Sequence, residues 1–376
     1  MSMTELLHWN EGADAHSALF RSENGSPLPK KLQQADDRIS ADSAFRLMCE
    51  GTALVWRGDF QNARQLLSAL TRRVERKDKP ITTGDLQQAF HLQRQATVRR
   101  VRILSLLLIP VEADYTLALR RAPDMQLALN QAWGRTTDQV SLVPLRELLG
   151  LVGAHEWRKK GIMVEALGQT IHPHYRVFAP TRNEYLDLVA RVALPVATRR
   201  AFDIGTGTGV LAAILANRGV GNIIATDMEP RALSCARENL QTLGLNEQVQ
   251  VVQTDLFPEG VADLIVCNPP WIPARPSSKL EAAIYDPDSS MLRGFLAGAA
   301  DHLGKNGQAW LILSDLAEHL HLRSREQLHE WIAAGGLRVT ARHDTRPRHA
   351  KTRDVNDPLH RARAAEICSL WVLQRA

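Results

Sequence analysis

Apolar residues recur at three-to-four spacing through much of the first hundred positions. "ADSAFRLMCEGTALVW" (41–56), "FQNARQLLSALTRRVERK" (60–77) and "TTGDLQQAFHLQRQATVRRV" (82–101) each carry this period, which predicts three helices, the last with a Thr/Asp start signal. "RILSLLLIPV" (102–111) reads as a buried strand or as an extension of the third helix. Residues 1–40 are polar and irregular, with "ENGSPLPKK" as a loop signal, and 112–160 show no clear period. "GIMVEALGQTIHPHYRVFAP" (161–180) has two short β-like runs about Gly168-Gln169, the pattern of a hairpin.

From residue 182 onward the pattern becomes a regular alternation. "RNEYLDLVARVAL" predicts a helix, "RRAFDIG" a strand, "VLAAILANRG" a helix, "NIIATD" a strand and "PRALSCARENLQTLG" a helix. "VQVVQTD" and "ADLIVCNPP" are strands, "SSMLRGFLAGAADHL" a helix, "QAWLILS" a strand and "RSREQLHEWIAAGG" a helix. Strands alternating with helices imply βαβ units and a mostly parallel sheet. The last two strands, "LRVTARHDT" and "AEICSLWVLQ", lack a helix between them. They should pair antiparallel at one edge, joined by a basic loop near 346–360. The expected division is a mainly helical domain over 1–160, a hairpin or linker over 161–181, and an α/β domain over 182–376.

Composition changes this picture little. With 376 residues, 44% hydrophobic and 23% charged, the chain can bury a sizeable core. "ILSLLLIPV" is too short to span a bilayer, and the N-terminus lacks the basic-then-apolar order of a signal peptide. Cys49, Cys235, Cys267 and Cys368 are scattered, with no Cys-x-x-Cys pair, so neither a metal knuckle nor a disulfide framework is expected. A reducing cytoplasm fits that usage. The net charge of +5 is compatible with an RNA or ribosomal partner without requiring one. Basic clusters at 71–79, 94–102 and 341–354 have solvated faces as their ordinary explanation.

Chemistry concentrates in two motifs. The first, "FDIGTGTGV" (202–210), ends a strand and opens a helix. Gly205, Gly207 and Gly209 allow a tight turn and close approach of a ligand. Asp227, at the end of the next strand, stands where a carboxylate accepts hydrogen bonds from both ribose hydroxyls. Asp255, ending the third strand, can take an adenine amino group, with Leu256 on the ring. The loop is G-x-G-x-G, preceded by acidic Asp203. A carboxylate there repels a pyrophosphate and suits a cationic amino-acid group, which favours S-adenosylmethionine over a dinucleotide. Residues 182–376 resemble a class I S-adenosylmethionine-dependent methyltransferase. The resemblance implies a doubly wound, mostly parallel seven-stranded sheet of Rossmann-like type. It implies cofactor contacts from Asp203, Gly205, Thr206, Gly207 and Gly209, from Asp227 and Met228, from Asp255-Leu256, and from Asn268.

The second motif is "LIVCNPPWIPA" (264–274). Its Asn268-Pro269-Pro270-Trp271 resembles the N-P-P-aromatic motif of methyltransferases that modify planar amino nitrogens, in glutamine amides or in nucleobase amines. The lone pair of such a nitrogen is delocalised, so it is a poor nucleophile. The Asn268 oxygen and a backbone carbonyl such as that of Pro269 can hold both its N–H groups, aim it and stabilise the developing charge. The prolines stiffen that carbonyl, and Trp271 offers a face for a planar substrate. Cys267 reads as a buried core residue. Further on, Glu281, Tyr285 and Asp286 are candidates for the substrate mouth, and Asp288 or Ser289 for a helix N-cap.

"HYRVFAPTRNEY" (174–185) resembles the segment that leads into the fold of glutamine-modifying enzymes, which implies roles over the site for Phe178, Pro180, Thr181 and Glu184. The expected acceptor is a glutamine amide of a translation protein, with a ribosome-associated substrate among the expected partners. An RNA base amine gripped by the basic clusters, a small molecule, and a catalytically silent cofactor-binding scaffold are the alternatives. No metal and no membrane partner are expected.

Overall fold

The computed structural model describes residues 5–376 apart from 79–80, 182–183, 277–278 and 349. The chain divides into two compact units. The first holds the described residues as far as Ile81 and then His91–Glu156; the second holds Thr82–Phe90, Trp157–Pro276 and Leu280–Ala376. The hairpin expected as a linker is therefore part of the second unit. No helix among the described residues is long and apolar enough to cross a membrane.

In chain order the N-terminal elements are β1 (Glu5–Glu11), β2 (Asp14–Phe20), β3 (Lys31–Ala35), α1 (Ala41–Cys49), β4 (Thr52–Trp56), α2 (Phe60–Lys77), α3 (Leu86–Leu104), β5 (Leu107–Val111), α4 (Gln126–Trp133), β6 (Ser141–Pro144) and α5 (Leu145–Lys160). Helical residues outnumber strand residues here, as expected, but the organising element is a six-stranded sheet ordered β1-β2-β6-β5-β4-β3. That sheet corrects the expectation of an irregular first forty residues. Leu7, Trp9, Ala18 and Phe20 are buried at alternate positions and face Ala53, Val55, Leu108 and Leu142. Gly12, with φ +65°, supplies the tight turn between β1 and β2. The helix expected over 41–56 stops at Cys49. Gly51, at φ +88°, reverses the chain, and Thr52–Trp56 becomes a wholly buried strand. "RILSLLLIPV" is shared, its start ending α3 and its end forming β5.

The second unit continues with β7 (Ile162–Val164), β8 (Gln169–Ile171), α6 (Glu184–Arg191), β9 (Arg200–Ile204), α7 (Val210–Asn217), β10 (Asn222–Asp227), α8 (Pro230–Thr242), β11 (Val249–Gln253) and β12 (Ala262–Cys267). It ends with α9 (Ser290–His302), β13 (Leu303–Ser314), α10 (Leu316–His319), α11 (Arg325–Ala334), β14 (Leu337–Thr345), α12 (His360–Ala365) and β15 (Cys368–Arg375). β7 and β8 form the expected hairpin, with Gly168 at φ +63° in its turn. The main sheet has seven strands ordered β11-β10-β9-β12-β13-β15-β14. Pairing is parallel as far as β13 and antiparallel across β13/β15/β14, as the alternation implied. Two short helices were missed, α10 after β13 and α12 in the connection expected to lack a helix.

Alternation along the strands builds a core on each sheet face. Ala201, Leu264, Val266 and Trp310 pack with residues of α6, α7 and α8, while Phe202, Ile265, Cys267 and Leu311 pack with α9 and α11. In α7 every residue from Val210 to Ala216 is buried, so its stability comes from packing, at ~1.5–3 kcal/mol per buried large aliphatic side chain. α11 starts with a reciprocal Ser324/Gln327 capping box.

Helix α11 ends against α9 with no room for a side chain. A Cβ on Gly335 would lie 2.1 Å from the Leu296 carbonyl oxygen, whereas one on Gly221 would meet nothing within 4 Å. Gly335→Ala should therefore destabilise the second unit by about 1–3 kcal/mol. Gly221→Ala should stay within about 0.5 kcal/mol of the parent. Urea unfolding of the two variants checks this, and equal midpoints would refute the close helix contact.

Candidate active site

Strand register sets the site. Thr226 pairs with Ile204, and Ile204 with Cys267, so β10, β9 and β12 end level. The residues that follow, Asp227, Gly205 and Asn268, therefore emerge side by side at the carboxyl edge. Strand order reverses between β9 and β12, and such switch points are where open α/β sheets bind ligands.

The glycine loop hangs from one buried carboxylate. Asp203 is 0% exposed. Its Oδ2 accepts the Thr206 hydroxyl at 2.6 Å and the Ala212 N–H in the first turn of α7 at 3.1 Å. Oδ1 is buried and has no protein partner. Burial pushes the Asp203 carboxyl up to about 6, against the pull of these two donors and with a smaller push from Asp227. Gly205, Gly207 and Gly209 sit at φ +70°, +56° and +82°, which L side chains rarely adopt. A Cβ on Gly207 would point into open space, one on Gly209 would press on Ala236, and one on Gly205 would strike the Met291 methyl at 2.5 Å.

Asp227 is tied to the same loop. Its Oδ2 accepts the Gly207 N–H and its Oδ1 the Glu229 N–H, each at 3.0 Å, while burial raises its pKa. One further lone pair on each oxygen is left for a ligand. Met228 is 60% exposed beside it. Leu256 turns at φ +62°, its carbonyl accepts the Thr226 hydroxyl at 2.7 Å, and its side chain rests where Gly294 leaves space. Asp255 is exposed.

The Asn-Pro-Pro-Trp turn is braced at both ends. Trp271 Nε1 donates to Asn268 Oδ1 at 2.8 Å. The indole is partly buried against the cores of both sheet faces and meets Tyr185 edge-on, with ring centroids 6.3 Å apart at 86°. Tyr185 is 2% exposed; burial pushes its hydroxyl above the usual phenol range, while the Asn268 side chain draws it back. At the exit, the Ile272 carbonyl accepts the Asp286 N–H at 2.9 Å, and Ile272 bridges to Tyr285. Cys267 is fully buried, and burial pushes its thiol well above the ordinary range, so it offers no thiolate at neutral pH.

The helix cap differs from expectation. Asp286, not Asp288 or Ser289, caps α9. Its carboxylate accepts the Met291 N–H at 3.1 Å, the Leu292 N–H at 3.2 Å and the Ser290 hydroxyl at 2.7 Å. Asp288 and Ser289 are left-handed, at φ +56° and +53°, and Ser289 makes no capping bond with its side chain. The conventional Ncap conformation is extended, so spacing from the helix pointed to the wrong residue.

The edge thus gathers Asp203, the glycine loop, Asp227, Leu256, Asn268, Trp271 and Tyr285. The approach segment follows α8: the His172 N–H just before it reaches Asn239 Oδ1 at 2.8 Å, and Val177 packs on Ala232 and Cys235. Pro180 is buried, but Phe178 and Thr181 are exposed, and Glu184 accepts the Arg348 N–H at 2.6 Å. Tyr185, the last residue of the segment quoted above, and Met291 of α9 also reach the site, and neither was singled out in the sequence.

Residues 186–333 match the family model "Methyltransferase small domain". Over 168 residues the chain is 32% identical to a release factor glutamine methyltransferase of Deinococcus radiodurans, covering 44% of this chain and 56% of that one. A namesake from Gloeobacter violaceus is 30% identical over 50% of this chain and 61% of its own. A tRNA1(Val) (adenine(37)-N6)-methyltransferase of Bacteroides thetaiotaomicron is 32% identical over 36% of this chain and 64% of its own. The chain spans between half and two thirds of the length of these relatives. Residues 186–333 are thus similar to the methyltransferase small domain, and the relatives matched by the unit that holds them carry the names of N-methyltransferases.

Proposed function

We propose that the second unit transfers a methyl group from S-adenosylmethionine to a planar amino nitrogen, and that the acceptor is a glutamine side-chain amide of a translation-related protein. The observation that carries this reading is the Asn268-Pro269-Pro270-Trp271 turn set level with a glycine loop whose buried carboxylate keeps one oxygen unpartnered.

The residues present fit the cofactor. Asp203 Oδ1 is a buried acceptor without a donor, as an ammonium requires, and Gly207 leaves the loop backbone open to close approach. Asp227 retains acceptor capacity for ribose hydroxyls, and Leu256 offers an apolar surface beside it. When bound, S-adenosylmethionine supplies a methyl group on a sulfonium.

The chain's own part is orientation and charge stabilisation. Asn268 Oδ1 has one lone pair left after Trp271, enough to accept one acceptor N–H. The Pro269 carbonyl, stiffened by Pro270, takes the other. Two fixed acceptors align the nitrogen and favour the positive charge it gains. Transfer needs no strong base, because the amide or aryl nitrogen becomes cationic only on methylation and then loses its proton readily to water.

The names of the glutamine-modifying relatives support the protein acceptor. A nucleobase amine is the second reading, favoured by the connection between β14 and β15. Ser314 and Thr345 both pair with Cys368, so this connection leaves the sheet at the Asn268 edge. Arg346, Arg348, Lys351, Arg353 and Arg361 are exposed on it. The basic helices of the first unit argue less for RNA, since Arg73 pairs with Asp42, and Arg99 and Arg100 pair with Asp78.

Titration calorimetry with S-adenosylmethionine should show affinity rising with pH through about 6, where Asp203 ionises. Below that pH the carboxyl is neutral and the cation loses its counter-charge; a roughly tenfold weaker complex at pH 5 than at pH 7 is expected. The stability sign is opposite for the free protein. Asp203 titrates higher folded than unfolded, so its contribution is present below about pH 4 and is lost as pH rises to about 6, at a cost of ~3 kcal/mol. Asp203→Asn should flatten both profiles, and a wild-type affinity independent of pH would remove this role.

For the reaction, Asn268→Ala should abolish transfer of labelled methyl groups to a deletion-strain extract while cofactor binding persists; retained turnover sinks the acceptor role. Label released by protease but not by RNase supports the glutamine reading. Release by RNase supports the nucleobase reading instead.

A further inference from the structure

A side-chain carboxamide can be rotated by half a turn without changing its shape, but the two faces have opposite chemistry. Only the oxygen can accept an N–H, so Asn268 works as an acceptor in one of its two orientations. The indole N–H of Trp271 donates and cannot accept, and it lies 2.8 Å from Asn268 Oδ1. It therefore selects the orientation in which Oδ1 faces the indole. Burial holds the Tyr185 hydroxyl above the usual phenol range, and the neighbouring Asn268 side chain draws it back, so the phenol lies beside the same carboxamide. Tyr185 also backs the indole edge-on, and its ring is buried on α6, so the indole has little freedom to swing away.

We infer that Trp271 and Tyr185 are positioning residues that lock the carboxamide of Asn268 with its oxygen toward the indole, leaving one lone pair aimed for the acceptor N–H. This rests on the acceptor reading of Asn268 proposed above. It gives the tryptophan at the fourth place of the motif a reason beyond its flat face. A tyrosine hydroxyl both donates and accepts, and so does not by itself choose between the two amide orientations. The three residues come from α6 and from the turn after β12, and the buried Tyr185 ring backs the half-buried indole at the edge where the nitrogen must be aimed.

Two arms test it. In 15N-tryptophan-labelled protein, the Trp271 indole signal is identified by its loss in Trp271→Phe. Its N–H should exchange slowly in the parent, and about tenfold or more faster in Asn268→Val and in Tyr185→Phe. Exchange unchanged in Asn268→Val overturns the indole bond, and exchange unchanged in Tyr185→Phe overturns the tyrosine's part. The second arm follows methyl label entering a deletion-strain extract. Trp271→Phe keeps an aromatic face and should lower the maximal rate about tenfold or more, with the half-saturating extract concentration within twofold. A raised half-saturating concentration at an unchanged maximal rate assigns Trp271 to stacking and overturns the proposal. Tyr185→Phe should likewise lower the maximal rate with the half-saturating concentration within twofold, and an unchanged rate overturns the tyrosine's part. Thermal midpoints and cofactor titrations of each variant separate loss of fold from loss of aim. If the parent transfers no label at all, the acceptor reading fails, and the exchange arm still decides whether the brace exists.

Discussion

One buried carboxylate holds the site together. Asp203 lies near the end of the inner strand β9, and its Oδ2 fastens the loop at Thr206 and the helix at Ala212. Those two bonds fix both ends of a turn that three left-handed glycines make possible. The other oxygen is left without a partner in a place closed to water. An unsatisfied charge-bearing group is costly, and native proteins retain few of them outside functional sites. Asp203 is thus both the mechanical anchor of the loop and its strongest electrostatic signal, and Asp227 extends the pattern by accepting the Gly207 N–H from the neighbouring strand.

The second constraint is stiffness after β12. Two prolines remove two backbone donors and narrow the accessible dihedral angles. The free ends of that turn are then tied down, Asn268 to Trp271 and Ile272 to Asp286. Asp286 also caps α9, whose Met291 reaches back over Gly205. A chain of contacts therefore runs from the proline turn through the cap to the glycine loop. The two motifs are far apart in sequence, yet the position of each depends on the same few side chains.

Where the reading of the chain succeeded, the signal was periodic and long. The alternation after residue 182 specified the order of the main strands and helices and the antiparallel end of the sheet, because the inner strands β9 and β12 are buried almost throughout. It failed where a short element depends on distant partners. Thr52–Trp56 is apolar enough for helix or strand, and Gly51 together with β3 and β5 on either side decided for strand. β1 and β2 bury only two residues each, too few to establish a period in a polar segment.

By itself the sequence determined the local chemistry. Glycine at three positions permits a left-handed turn, aspartate before it brings a negative charge, and Asn-Pro-Pro-Trp makes a rigid turn with an amide and an indole. These are properties of the residues and their immediate neighbours. Only the tertiary structure decided which groups act together: that strand register levels Asp227, Gly205 and Asn268, that Asp286 and not its neighbours caps α9, and that Tyr185 from α6 stands against Trp271. Such pairings arise from the packing of whole elements, and a contact between α6 and the end of β12 leaves no trace in the spacing of residues along either.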